Sequence, residues 1–161
     1  MKNSLVFTLL CLVGAVASPG ETATSQGTPS NVPNPKLTPG VVREVTKDDL
    51  CDSRYRSYDG SLSVTVKRKV FDVYGVNPQL PVAYNVDHLI PVSLGGTNAI
   101  ENLWPQPLAG EWNHLKKNLL ERRLYKLVCS GSLDLQKVQQ EIATDWVVAY
   151  RKYIGETQSK R

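Results

Sequence analysis

After residue 17 no stretch of the chain approaches the roughly 18 consecutive apolar residues of a membrane-crossing helix, so the chain beyond that point is expected to be soluble. Cysteine is scarce, with three in 161 residues. No C-x-x-C pair occurs, which excludes a thiolate zinc cage. Neither Cys51 nor Cys129 stands in a nucleophile motif, which argues against thiol catalysis. Internal repeats are missing, which excludes a solenoid or propeller. Charge of one sign is also in short supply. The formal net charge is +4, and Lys2 supplies one unit of it, a balance that permits a polyanionic partner without requiring one.

The amino terminus reads as a secretory signal peptide. Met1-Lys2-Asn3-Ser4 precedes an apolar run from Leu5 to Val16, and Ala15-Val16-Ala17 suits signal peptidase. The protein is therefore expected in the periplasm or outside the cell. There Cys51 and Cys129 are expected to form a disulfide, closing a loop of about 80 residues worth roughly 4 kcal/mol in the chain-entropy model. Residues 18–36, rich in Ser, Thr, Pro, Gly and Asn, read as a disordered spacer. One folded domain over 37–154 follows, then a polar tail over 155–161.

Within the domain, Thr65 is a candidate cap for a helix from Val66 to Tyr74 ended by Gly75. Lys67, Arg68 and Lys69 lie on its outer side, as a solvated face. Tyr84 to Leu94 has strand character, Gly95-Gly96-Thr97-Asn98 supplies turn chemistry, and Ile100 to Trp104 forms a return arm ended by Pro105 and Pro107. A helix from Trp112 to Val128 follows, with Trp112, Leu115, Leu119, Leu120, Leu124 and Leu127 on one apolar arc. A last helix, capped by Ser132 or Asp134, carries Leu135, Val138, Ile142, Trp146, Ala149 and Tyr153 on one face. The order is helix, hairpin, helix, helix. The fold class is α+β, a small and mostly helical domain.

Chemistry concentrates in Val86-Asp87-His88-Leu89-Ile90-Pro91, then Gly95-Gly96, then Glu101-Asn102-Leu103, then Asn113-His114 with Lys116 and Lys117. In this order, on a hairpin followed by a helix, these pieces resemble the HNH or His-Me finger nucleases, whose ββα-metal site is assembled from such parts. The pattern DHLIP, GG, NLWPQ is similar to an exported bacterial branch of HNH-like proteins. The similarity extends to Leu37-Thr38-Pro39-Gly40-Val41-Val42-Arg43, to Val128-Cys129-Ser130-Gly131 and to Ile142-Ala143-Thr144-Asp145-Trp146.

The resemblance implies a ββα-metal finger with flanking helices and a metal-dependent endonuclease acting on nucleic acid, with DNA ranked ahead of RNA and both left open; phosphate contacts from the lysines that follow imply low sequence specificity. Phosphodiester hydrolysis needs a deprotonated water and positive charge at the phosphate. An imidazole ordinarily titrates near pH 6.5, which makes His88 the implied general base. Asp87 is the implied metal ligand, and Asn102 the residue that holds the hairpin and orients the imidazole. The ion would be magnesium or manganese. For the helix-borne ligand, Asn113 and His114 both stand in place. Helical geometry favours Asn113, intrinsic affinity favours His114, and both remain candidates.

Lys116 and Lys117, with Arg122 and Arg123 beyond them, offer phosphate contacts. Lys117 and Glu121 are also spaced as an ordinary helix pair. Trp104 reads as core. One difficulty is geometric: adjacent strand residues face opposite sides, so Asp87 and His88 share a site only where the strand is irregular or at its edge.

Overall fold

The computed structural model describes residues 30–52, 60–77 and 84–155. The signal peptide, most of the spacer and all but the first residue of the tail lie outside these residues. The elements are α1 (Lys47–Cys51), α2 (Val64–Tyr74), β1 (Tyr84–His88), β2 (Leu103–Pro107), α3 (His114–Cys129) and α4 (Leu135–Tyr153), with short 3-10 turns at Val92–Leu94 and Ile100–Asn102. Among the described residues the protein is thus a small α+β domain of four helices and one two-stranded antiparallel sheet.

The hairpin sits between two helical layers, with an apolar cluster buried on each side of it. Val86 and Leu103 on one face join Val70 of α2 in a small cluster. On the other side Trp104 joins Leu89, Leu120, Leu124, Val138, Ile142 and Trp146 in the main core. Trp104 is completely buried, as its sequence position suggested. The side chain of Trp112, just before α3, meets the rings of Trp146 and Tyr150 edge-on, at centroid distances of 6.0 and 5.6 Å, the favoured geometry for aromatic pairs.

Strand β2 continues through both prolines that were expected to end it. The register pairs Asp87 with Trp104 and Val86 with Pro105. Leu89 N–H donates to Asn102 O at 2.7 Å, so the hydrogen-bonded positions of this antiparallel ladder are 102, 104 and 106. Pro105 and Pro107 fall between them, where the missing N–H costs no ladder bond. Strand β1 is shorter than expected, ending at His88 rather than Leu94.

Helix α2 starts at Val64 with Ser63, not Thr65, as its cap: Ser63 Oγ accepts from Val66 N–H at 3.2 Å. Gly75 ends it at φ +63°, as expected. Helix α1 was not foreseen. Its five residues depend on a reciprocal capping box, Thr46 with Asp49. Cys51, its last residue, is bonded to Cys129 at the end of α3, Cα to Cα 5.5 Å. Asp134 caps α4.

Two boundaries are corrected. The expected spacer over 18–36 ends earlier, because Pro33 is buried, Val32 packs on the core and Asn31 O accepts from Trp146 Nε1 at 2.9 Å. The apolar arc of α3 is also narrower and rotated. Leu115 and Leu119 are 64% and 41% exposed, whereas Lys117, Leu120, Leu124 and Val128 form the buried stripe. Helical periodicity therefore carries a lysine into the interior.

The loop joining the strands is braced from outside. Val41 to Arg43 runs antiparallel to it, with Arg43 N–H donating to Gly95 O at 2.9 Å and Thr97 N–H to Val41 O at 3.0 Å. Gly40 N–H donates to Glu101 O at 2.9 Å, and Thr38 Oγ1 donates to Leu103 O at 2.9 Å. The Leu37 to Arg43 segment is thus a strap across the hairpin loop.

Candidate active site

Asn102 is the hub of the loop. It is fully buried, and its amide donates to Ile90 O at 3.0 Å and Thr97 O at 2.9 Å while its Oδ1 accepts from Ile90 N–H at 3.0 Å. Every polar atom of a buried amide needs such a partner, and here the partners are the two ends of one loop. Gly96 belongs to the same device: a Cβ there would lie 1.8 Å from Ile90 O and 2.9 Å from Asn102 Nδ2, so no side chain fits. Asn102 holds the hairpin loop as expected, but it does not touch the imidazole of His88.

The partner of that ring is Asn98, whose Oδ1 lies 2.8 Å from His88 Nε2. The Gly-Gly-Thr-Asn run reads in sequence as turn chemistry alone, and nothing in its spacing marks Asn98 as the contact. His88 is 9% exposed. It remains at the surface of a cleft of about 260 Å³ lined by Gly60, Asp87, His88, Pro91, Val92, Ser93 and Glu121.

Asp87 and His88 both reach this cleft although the strand is regular. Asp87 shares a face with Trp104, and His88 shares the other face with Leu103. The cleft lies at the end of β1, where both faces border it.

Opposite Asp87 stands α3, and here the expected ligands are corrected. Asn113 is the helix cap. Its Oδ1 accepts from Leu115 N–H at 3.0 Å and Lys116 N–H at 3.4 Å, and its Nδ2 donates to Gly110 O at 2.9 Å. A side chain engaged in satisfying the first helical N–H groups is not available as a ligand. His114 opens α3 with Nδ1 buried and without a hydrogen-bond partner among the described residues. Neither residue lines the cleft. The acidic group that α3 does bring there is Glu121, seven residues and about 10 Å further along the helix axis from His114.

Between the carboxylates lies Lys117, 1% exposed. Its Nζ donates to Asp87 Oδ2 at 3.1 Å, to the His88 carbonyl at 2.5 Å and to Glu121 Oε1. Three acceptors match the three ammonium donors. Lys117 forms the helix pair that its spacing from Glu121 suggested, and the alternative role as a surface phosphate contact is corrected, because its charge is consumed inside. Lys116 reaches across Trp112, 4.3 Å from the ring centroid, with Glu111 3.8 Å away.

Burial alone pushes the Lys117 ammonium down, but the Asp87 and Glu121 carboxylates more than reverse this and hold it above the usual lysine range. Burial pushes the Glu121 carboxyl up, the Lys117 ammonium opposes that, and the nearby Asp87 carboxylate adds to the rise. The net position is above the ordinary glutamate value.

Among the described residues no three His, Cys, Asp or Glu side chains gather as a metal cage. Asp87 and Glu121 nevertheless border one cleft, and each carboxylate gives one oxygen to Lys117 and keeps a second. Magnesium binds through one or two carboxylates, with waters and substrate phosphates completing its shell. The donor set fits such an ion. No family model, curated protein or solved structure matches the chain.

Proposed function

We propose that this protein is an exported, metal-dependent endonuclease of the HNH type that hydrolyses nucleic-acid phosphodiesters, DNA rather than RNA, with low sequence specificity. The observation that carries the reading is the convergence of the His88 imidazole, the Asp87 carboxylate and the Glu121 carboxylate on one cleft at the end of β1. In this reading the strands β1 and β2 with α3 are the ββα finger, and the strap and the Asn102 hub stand in for the zinc site that braces other fingers.

His88 takes a proton from a water molecule, and the resulting hydroxide oxygen bonds to phosphorus as the bond to the leaving oxygen breaks. The leaving oxygen takes its proton from solvent. Asp87 and Glu121 would hold a magnesium or manganese ion, which when bound supplies Lewis-acid charge to the scissile phosphate and leaving oxygen. Lys117 keeps both carboxylates in place and neutralises part of their charge, which limits their repulsion of an incoming phosphate. The Cys51–Cys129 bond supports an oxidising destination, in keeping with the amino-terminal signal.

The test is incubation of the purified protein with plasmid and magnesium or manganese, with chelator and His88→Ala as controls. Metal-dependent nicking that His88→Ala abolishes is expected. Absence of cutting with every metal, or cutting unchanged by His88→Ala, sinks the reading. A second reading, a binding module without catalysis, draws on Lys117 already occupying the space between the two acids. Duplex binding without metal-dependent cleavage distinguishes it.

A further inference from the structure

We infer that Asn98 is the positioning residue for His88, fixing the tautomer that carries its proton on Nε2 and making Nδ1 the atom that accepts a proton. The argument begins at Ser61. Its carbonyl can only accept, so the atom of the Asn98 amide that approaches it at 3.2 Å is Nδ2. That contact decides the orientation of the amide and turns Oδ1 toward His88 Nε2, 2.8 Å away. Two acceptors do not approach so closely, so Nε2 carries the hydrogen and donates it. A neutral imidazole has one N–H, and the other nitrogen keeps its lone pair. Nδ1 has no hydrogen-bond partner among the described residues.

Asn98 is itself built to stay in place. Thr97 O accepts from Asn102 Nδ2 at 2.9 Å, and Thr97 N–H donates to Val41 O at 3.0 Å. Ala99 N–H donates to Thr97 Oγ1 at 3.3 Å, and Ala99 O accepts from Asn102 N–H at 2.9 Å. Both chain neighbours of Asn98 are pinned, so its side chain leaves from a fixed backbone. The strap, the buried Asn102 and the Ser61 carbonyl converge, through Asn98, on one proton of one imidazole. This division of labour places the second nitrogen of a base under control of a side-chain amide, which, unlike a carboxylate, orients the ring without adding a charge beside it.

The catalytic consequence rests on the nuclease reading, but the tautomer does not, and the experiment separates them. The protein is labelled with nitrogen-15 and long-range proton–nitrogen correlations of the imidazoles are recorded in mildly alkaline buffer. The chain has two histidines, so a His114→Gln variant assigns the signals. His88 is expected to show protonated Nε2 and unprotonated Nδ1. Asn98→Leu and Asn98→Ser are expected to shift His88 toward a mixture of tautomers, and Asn98→Asp, which keeps the acceptor, to retain the original form.

In cleavage assays Asn98→Leu should lower kcat roughly 10- to 100-fold with KM little changed, and Asn98→Asp should recover much of the loss. Protonated Nδ1 in the parent protein, or an unchanged tautomer in the folded Leu and Ser variants, overturns the inference. The expected tautomers in a protein that cuts nothing leave the positioning role standing and remove the nuclease reading.

Discussion

Lys117 Nζ lies 3.1 Å from Asp87 Oδ2, and this contact joins the first turn of α3 to the end of β1. The same ammonium donates to the His88 carbonyl at 2.5 Å and to Glu121, so the strand end, its acid and the helix acid share one cation. Its position on the buried stripe with Leu120 and Leu124 means that the helix cannot pack on the hairpin without bringing the charge along. Packing and electrostatics of the cleft are set by one side chain.

Replacing Lys117 by Met keeps much of the volume and removes the charge. Breaking a fully buried ion pair costs about 3–5 kcal/mol because the remaining charge loses its partner. Asp87 and Glu121 side chains keep 26% and 19% of their exposure, so solvent screens part of that loss, and about 2–4 kcal/mol is expected. The midpoint of urea unfolding measures it. A midpoint equal to that of the parent protein would mean that the triad contributes no stability.

Glu121 gives stability a pH dependence of definite sign. Its folded-state carboxyl titrates above the ordinary value of 4.5 because burial outweighs the Lys117 ammonium. In the interval above 4.5 the folded state binds more protons at this site than the unfolded chain does, so stability falls as pH rises. Glu121→Gln removes that titration. The stability of the parent protein relative to Glu121→Gln should therefore decline as pH rises from about 4.5 through the raised folded value, then level off. Urea unfolding of both proteins across this range reads it, and a rising difference contradicts the assignment.

The elements of the fold were legible in sequence where a period or a cap announces them. The faces of α2 and α4, the Gly75 terminus, the hairpin and the Cys51–Cys129 bond all follow from such local signals. The buried stripe of α3 was not, because leucine was weighted over lysine, and only tertiary packing shows that Leu115 and Leu119 face outward while Lys117 faces inward. At the site, Asp87 and His88 border one cleft and Asn102 bonds across the adjoining loop. Glu121 was visible only as a helix partner of Lys117, and Asn98 only as a turn residue, because their roles depend on chain segments distant in sequence. Asn113 carried the right position for a ligand and also the right chemistry for a helix cap, and the cap is what its amide forms.

The Asn102 hub predicts coupled losses. Asn102→Ala leaves the Ile90 and Thr97 backbone groups without their partners, at about 1–3 kcal/mol for each buried group left unpaired. Gly96→Ala forces Ile90 O and Asn102 apart. Each single change should destabilise by about 3 kcal/mol or more. The double variant should lose less than the two added together, since both break the same contacts. Full additivity in chemical unfolding would show that the two residues do not act as one device.

Gly60 offers a test of the cleft itself that leaves its polar groups untouched. A Cβ at this position would lie 2.8 Å from Val92 Cγ2 and 3.7 Å from His88 Cε1, so a methyl group adds to the wall of the cleft, and its closest neighbour among the described residues is the end of a side chain. Val92 can turn aside, and the fold should tolerate Gly60→Ala with a urea midpoint close to that of the parent. A phosphodiester that must approach the imidazole has no such freedom, because displacement of a reacting group by about an ångström costs up to 100-fold in rate. Plasmid nicking by Gly60→Ala should fall between about tenfold and 100-fold. Nicking at the parent rate by a protein of unchanged stability would show that substrate does not enter beside His88, and the chemistry would have to be sought elsewhere on the molecule.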